Sequence, residues 1–213
     1  MILQRKNIDK LWILFDYKTI MKWHIFFILW VSWAWKWTLI ENIKQKNLEN
    51  LHIPLSYKSR AIRNTETNHV DAHFISKEEF FHWIENHEFL EYAIVHETDY
   101  YGTKYGDVIE NGIDLWKIVI KELDINWLKR LRKEKPNFDA NYTTIFLDIP
   151  VDILKERIEK RWALMSDEEL NRRINSAVIE EEEWKKICDY TIDATLNPDE
   201  VCERFLDIVN KTK

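Results

Sequence analysis

Apolar positions along the chain follow two patterns. His24 to Leu29 is a short, continuously apolar run, the signature of a parallel strand buried on both faces. Lys117 to Leu123 and Tyr142 to Ile149 read as further buried strands, the latter stopped by Pro150, and Asp189 to Ile192 reads as the last strand. Between them the pattern turns helical. It predicts a helix from about residue 36, another over Val151 to Arg161, and one opened by the capping box Ser166-Asp167-Glu168-Glu169 that displays Arg172 and Arg173. Asn197-Pro198-Asp199-Glu200 caps a C-terminal helix ending near Val209. Alternating strands and helices predict an α/β fold with a central, mostly parallel sheet flanked by helices. The acidic run Glu180 to Glu183 reads as a solvated helix face. Residues 1–20 mix charged and apolar letters without a signal-peptide pattern. Met21 is a natural start ahead of the first strand, so residues 1–20 read as an N-terminal extension from an over-extended reading frame.

Composition changes this picture at one point. The 213 residues fit one α/β domain with inserted lids, and 31 basic against 37 acidic residues give a net charge of −6, which offers no general attraction to nucleic acid or anionic lipid. Cys188 and Cys202 form no CxxC or Cys/His cluster, so a disulfide framework and a zinc site are not indicated, and a reducing, cytoplasmic compartment fits. The anomaly is 11 Trp against 3 Gly, where glycine ordinarily supplies about 7% of residues. Trp and Gly together come close to that share. Most Trp letters therefore read as glycine, as when UGA codons are translated as Trp although the organism reads them as glycine.

With that substitution Trp30-Val31-Ser32-Trp33-Ala34-Trp35-Lys36-Trp37-Thr38 becomes G-V-S-G-A-G-K-G-T, a phosphate-binding loop between a strand and a helix. Such a loop needs glycine for positive φ angles and for close approach of its backbone N–H groups to phosphate oxygens. The following helix adds its positive N-terminal end. Lys36 would reach the β- and γ-phosphates of ATP, and the Thr38 hydroxyl would serve Mg²⁺ directly or through water. In the strict pattern Ser or Thr follows Lys directly; here residue 37 intervenes. Read literally, the stretch from Trp23 to Ile40 approaches the length of a marginal membrane span, but His24 and Lys36 interrupt it.

Downstream, Ser56, Arg60 and Arg63 fit S-x-x-x-R-x-x-R; Phe74-Ile75-Ser76-Lys77-Glu78-Glu79-Phe80 fits F-x-S-x-x-E-F; Glu88-Phe89-Leu90-Glu91 fits E-F-x-E; and Tyr100-Tyr101-Gly102-Thr103 fits Y-Y-G-[ST]. In this order the motifs resemble the GMP-binding region of guanylate kinases. The resemblance implies a P-loop kinase fold of three layers and a reaction in which ATP, with Mg²⁺, phosphorylates GMP and, by the same chemistry, dGMP. It implies that Arg60, Arg63 and Tyr101 hold the GMP phosphate, that Glu91 and Thr103 read guanine, and that Ser56 is among the GMP-binding residues. Asn111 to Trp127 resembles the family segment that places Glu122 and Asp124 at a strand end, where they would order Mg²⁺ waters or GMP. Arg157, Arg161 and Arg173 match the lid arginines that, with Lys36, would stabilise the transferring phosphoryl group. One departure stands out: the family's D-Y-x-F tyrosine is Ala72 here, leaving His69 or His73 as replacements. Lys121 is a misfit in an otherwise apolar strand.

The expected organisation is a guanylate-kinase-like unit over 21–213. Its core comprises 21–54, 104–156 and 175–213, with a GMP-binding region over 55–103 and a lid over 157–174. Within the resemblance, Trp23, Trp30, Trp33, Trp35, Trp37, Trp116, Trp127 and Trp162 fall where the family has or tolerates glycine; Trp83 and Trp184 do not. ATP and GMP are the expected partners, with no nucleic acid, membrane or obligate protein. Two other readings stay open: a catalytically dead guanylate-kinase-like interaction module, if the loop Trp residues are real, and a related kinase with another phosphorylated acceptor.

Overall fold

The structure, a computed structural model, describes residues 24–30, 36–46, 48, 50–95, 98–123, 125–134, 141–161 and 167–212. The chain runs β1 (His24–Trp30), α1 (Lys36–Gln45), β2 (Leu51–His52), β3 (Tyr57–Lys58), β4 (His73–Phe74), α2 (Lys77–Glu85), β5 (Phe89–Val95), β6 (Asp99–Lys104) and α3 (Tyr105–Val108). It continues through a 3₁₀ turn (Ile113–Leu115), β7 (Ile118–Glu122), α4 (Ile125–Glu134), β8 (Asn141–Asp148), α5 (Val151–Arg161), α6 (Asp167–Ile187), β9 (Tyr190–Asp193) and α7 (Pro198–Thr212).

Five strands form a parallel sheet in the order β2-β7-β1-β8-β9. β1 lies at its centre, and Ile25 to Leu29 are each no more than 1% exposed. Successive side chains of a strand point to opposite faces, so β1 seeds two cores. Ile25, Phe27 and Leu29 pack with Leu128 and Leu131 of α4, Leu154 of α5 and Trp184 of α6. Phe26 and Ile28 pack with Leu39, Ile40 and Ile43 of α1 and with Val201, Cys202, Phe205 and Val209 of α7. Helices thus cover both faces, giving three layers. The α7 stripe follows helical spacing, and the helix starts where sequence predicts: Asn197 Oδ1 accepts from Glu200 N at 2.9 Å, ahead of Pro198. It runs three residues past the predicted end, to Thr212.

A second, four-stranded sheet has the order β4-β3-β6-β5, with β3 parallel to β4 and the other pairs antiparallel. Ser76 caps α2, its Oγ accepting from Glu79 N at 3.0 Å. That cap delivers Phe80 onto Phe89, the two rings stacked 4.3 Å apart. Among the described residues no helix is long and apolar enough to cross a membrane.

The described tryptophans divide by environment. Trp116 caps the 3₁₀ turn in the left-handed region, at φ 61° and ψ 32°, with its side chain half exposed; an L-residue is disfavoured there by about 1–2 kcal/mol, and glycine is not. Trp83 and Trp184 are integrated. Lys104 Nζ stands 3.8 Å from the Trp83 ring centre, and Trp184 is buried edge-on to Phe146. Trp127 has the opposite environment to Trp116. Its indole is 5% exposed, donates to Leu90 O at 3.1 Å and meets Phe27 edge-on, so the core is built around a large side chain there.

These environments predict opposite effects of one substitution. Trp116→Gly raises stability by about 1 kcal/mol, by removal of left-handed strain. Trp127→Gly lowers it by about 3–5 kcal/mol through the void it leaves. Urea denaturation midpoints of the two variants check both signs.

Candidate functional site

One face of the second sheet gathers the residues singled out by the acceptor motifs. In the antiparallel pairs, Lys58 lies opposite Tyr101, and Glu91 opposite Thr103. Directly opposed residues share a face, and the two-residue period adds Ser56 to Lys58 and Thr103 to Tyr101. Gly102 permits the close pairing of β5 and β6: a Cβ there would lie 2.8 Å from Glu91 O and 2.9 Å from the Phe89 side chain.

Arg60 is the electrostatic centre of this face. Its Nε donates to Tyr101 Oη at 2.8 Å, and its two terminal nitrogens donate to Glu66 at 2.7 and 2.6 Å. The Arg63 backbone N–H also donates to Glu66, at 3.0 Å, and Lys58 Nζ stands 3.6 Å away. The guanidinium lies over the Phe74 ring, 5.2 Å from its centre. The Arg60 hydrogen bonds, with lesser help from the Arg63 N–H and Lys58, hold the Glu66 carboxyl well below its ordinary 4.5, at about 2. Glu66 is the functional neighbour that sequence reading missed; its signal was an acid three residues beyond Arg63. The Arg63 side chain itself is exposed. This nest stabilises an anion, which is what a phosphate monoester requires.

Beside it, Thr103, fully buried, donates from Oγ1 to Glu91 Oε1 at 2.7 Å. A carboxylate oriented by a buried hydroxyl is a ready acceptor for paired N–H donors on a planar base. Ser56 joins the group from the seam between the two sheets, where its Oγ accepts from Lys121 Nζ at 2.8 Å. The histidines do not replace the missing tyrosine. His73 pairs with Tyr57 across β4 and β3 and stacks on its ring at 4.5 Å, on the face opposite Lys58 and Arg60. His69 Nδ1 meets His73 Nδ1 at 2.8 Å. Ala72 is fully buried.

Some of the other predicted residues lie at or just after the carboxyl ends of the parallel strands, where open α/β sheets bind ligands. Trp30 ends β1; Lys36, Trp37 and Thr38 form the first turn of α1. Val31, Ser32, Trp33, Ala34 and Trp35, like Asp124, lie outside the described residues. Glu122 ends β7; Arg157 and Arg161 lie on α5 and Arg173 on α6. Thr38 also lines a cleft of about 140 Å³ with Leu147, Ala194, Leu196, Pro198 and Val201. This apolar slot beside the start of α1 suits a flat ring, and of the segment between β9 and α7 that helps build it, residues 194–196 were not singled out in the sequence. A larger cavity, about 440 Å³, lies between β5 and α4, lined by Tyr92, Trp127 and Arg130; apart from Glu91 it contains none of the predicted site residues. No group of three or more metal-binding side chains occurs among the described residues. A hydrated Mg²⁺ needs fewer protein ligands; at the end of β8, Asp148 Oδ1 is buried without a hydrogen-bond partner, while its Oδ2 pairs with Lys185 at 3.0 Å. Burial pushes the Cys188 thiol up to about 11 and raises that of Cys202 as well.

Because the folded-state pKa of Glu66 is depressed, its contribution is present above pH 4.5 and lost as pH falls toward 2. Wild type is therefore expected to exceed Glu66→Gln in stability above pH 5, with the gap closing as pH is lowered. Denaturation midpoints of both proteins across that range check it.

The guanylate kinase family model matches residues 31–211. The chain is similar to the guanylate kinase of Campylobacter jejuni, at 32% identity over 162 residues, 75% of this chain and 74% of that one. It is 35% identical over 147 residues to the guanylate kinase of Helicobacter pylori, covering 68% of each chain. In fold it is similar to the crystal structure of guanylate kinase from Anaplasma phagocytophilum, with a TM-score of 0.67 at 20% identity over 90% of this chain and 86% of that one. A nucleoside monophosphate kinase is the enzyme class these relatives imply, and the chain belongs to the guanylate kinase family.

Proposed function

We propose that the protein transfers the γ-phosphoryl group of ATP to GMP, and likewise to dGMP, as a cytoplasmic enzyme of purine nucleotide metabolism. The observation that carries this reading is the shared sheet face on which the Arg60–Tyr101 anion site adjoins the Glu91–Thr103 pair. Arg60, Tyr101, Ser56 and Arg63 hold the acceptor phosphate, while Glu91 accepts from guanine N1–H and N2–H and Thr103 fixes that carboxylate. Adenine presents no such pair of donors, so the same contacts select against AMP.

The loop after β1 holds the ATP phosphates, with Lys36 at the β- and γ-oxygens and Trp30, Trp33, Trp35 and Trp37 read as glycine. Trp116 in a left-handed cap supports that reading. An acceptor phosphate oxygen attacks the γ-phosphorus as the bond to the β–γ bridging oxygen breaks, the electron pair leaving with ADP. Catalysis of this step is positioning and charge stabilisation. Lys36, Arg157, Arg161 and Arg173 offset the charge on the transferring group, and exclusion of water prevents its loss by hydrolysis. The charge neutralisation that the ATP phosphates need would come from Mg²⁺ bound with the nucleotide. Thr38 would hold it directly or through water, with Glu122 and Asp124 ordering the remaining waters.

The test is a coupled assay of the full chain with glycine at 30, 33, 35, 37 and 116, run with GMP, dGMP, AMP and CMP. Turnover of GMP and dGMP is expected, with AMP and CMP slower by a factor on the order of 100 or more. Glu91→Ala should lower kcat/KM for GMP by about 10- to 100-fold. Absence of GMP turnover overturns the assignment. GMP binding without turnover by the chain that keeps its tryptophans is the result expected of a dead interaction module. UGG codons at 30, 33, 35 and 37 would refute the glycine reading.

A further inference from the structure

His69 and His73 meet behind the acceptor face, in the turn that leads into β4. Their Nδ1 atoms lie 2.8 Å apart and their ring centres 5.1 Å apart. That spacing aims the rings at each other head-on. The lone pair of one nitrogen thus lies along the N–H of the other, instead of converging with it on a third point as two ligands of one metal ion would. Such a contact needs one proton between the rings. A neutral pair supplies it, and so does a pair with a single positive charge; two imidazolium rings would set N–H against N–H and charge against charge.

The surroundings also resist the second charge. His73 is half-buried and stacked on Tyr57 of β3. Burial is the main cause that holds its pKa below the ordinary 6.5; Asp107 of α3 acts the other way, and the charges of His69 and of Lys104 from β6 add to the lowering. Lys104 is itself paired with Glu88, and Asp71 within the turn accepts from Thr67 N at 2.7 Å. Because the folded-state pKa of His73 lies below that of the unfolded chain, released His73 binds protons more readily, and acidification below 6.5 favours its release.

One side chain couples this turn to the anion nest. Asn68 Oδ1 accepts from His69 N at 3.0 Å and from Phe74 N at 2.9 Å, and His69 N also donates to Ala72 O at 2.8 Å. Phe74 pairs with Lys58 across β4 and β3 and lies under the Arg60 guanidinium. Rings that part at 69 and 73 therefore pull on the strand that supports Arg60.

We propose that the His69–His73 contact is a one-proton latch on the acceptor site: it holds β4, and with it Phe74 beneath Arg60, while at most one ring is charged, and it opens when acidification charges both, lowering affinity for the acceptor phosphate. This rests on the reading of that face as the site of a nucleoside monophosphate.

Calorimetric titration of the full chain with GMP, without ATP, tests it at about pH 7.5 and about pH 5, either side of the ordinary imidazole pKa. A phosphate monoester itself titrates near pH 6, so the comparison is with His69→Asn. Asparagine tolerates the left-handed backbone at residue 69, where φ is 64°, and its side-chain oxygen accepts from His73 Nδ1 in either charge state. The two proteins are expected to agree within about 2-fold at the higher pH, and wild type to lose about 5- to 10-fold more affinity than the variant at the lower. Over the same interval the Phe74 amide should lose hydrogen-exchange protection in ligand-free wild type and keep it in the variant. Parallel affinity losses, or unchanged Phe74 protection in wild type, overturn the proposal. If His69→Asn does not fold, the wild-type rings decide: NMR should show them titrating in two separated steps, and independent titration of both near 6.5 overturns the latch. Failure of wild type to bind GMP at the higher pH counts against the acceptor reading, and the exchange and ring titrations then judge the latch alone.

Discussion

Burial of β1 on both faces is the constraint from which the rest of the structure follows. Five consecutive apolar residues cannot face water on either side, so they require a strand to their left, a strand to their right, and helices above and below. β7 and β8 supply the first need; α4, α5 and α6 on one face and α1 and α7 on the other supply the second. The chain must then leave β1 at its carboxyl end, between two flanking strands. Open α/β sheets bind ligands outside such strand ends, and among the described residues the chain resumes with α1.

The acceptor half rests on a different force. Its four-stranded sheet has short β3 and β4, two residues each, and owes its order to aromatic packing of Phe80, Phe89, Tyr57 and Trp83 on one face. The opposite face is thereby left to polar chemistry. There Arg60 joins Tyr101 from β6 to Glu66 from the loop, so a single guanidinium links two chain segments far apart in sequence. The same side chain that stiffens the face is the one aimed at an anion.

Much of this was legible in the sequence, for identifiable reasons. Buried parallel strands are unbroken apolar runs, so β1, β7 and β8 were recognisable to within a residue or two. Helix starts were equally visible where a side chain caps them, as Asn197 does. Motif order placed Ser56, Arg60, Glu91, Tyr101 and Thr103 together, and the register of β3, β5 and β6 accounts for it. What stayed hidden depends on contacts between distant segments. The Glu66 carboxylate, the stacking that turns His73 away, the Lys121–Ser56 bond and the burial of Trp127 leave no local periodic trace. Trp116 and Trp127 illustrate the limit: the motifs read both alike, yet one sits in a backbone conformation that suits glycine and the other fills the core.

The paired strands β2 and β7 carry a consequence of their own. Leu51 and His52 lie beside Ile118 and Val119 at one edge of the parallel sheet, so the whole acceptor-binding excursion leaves and re-enters the core through neighbouring strands. A segment attached in this way is an insertion with a closed footprint, like a cartridge seated in one slot. An insertion closed in this way can change its length or its polar face without disturbing the register of β1 against β7 and β8.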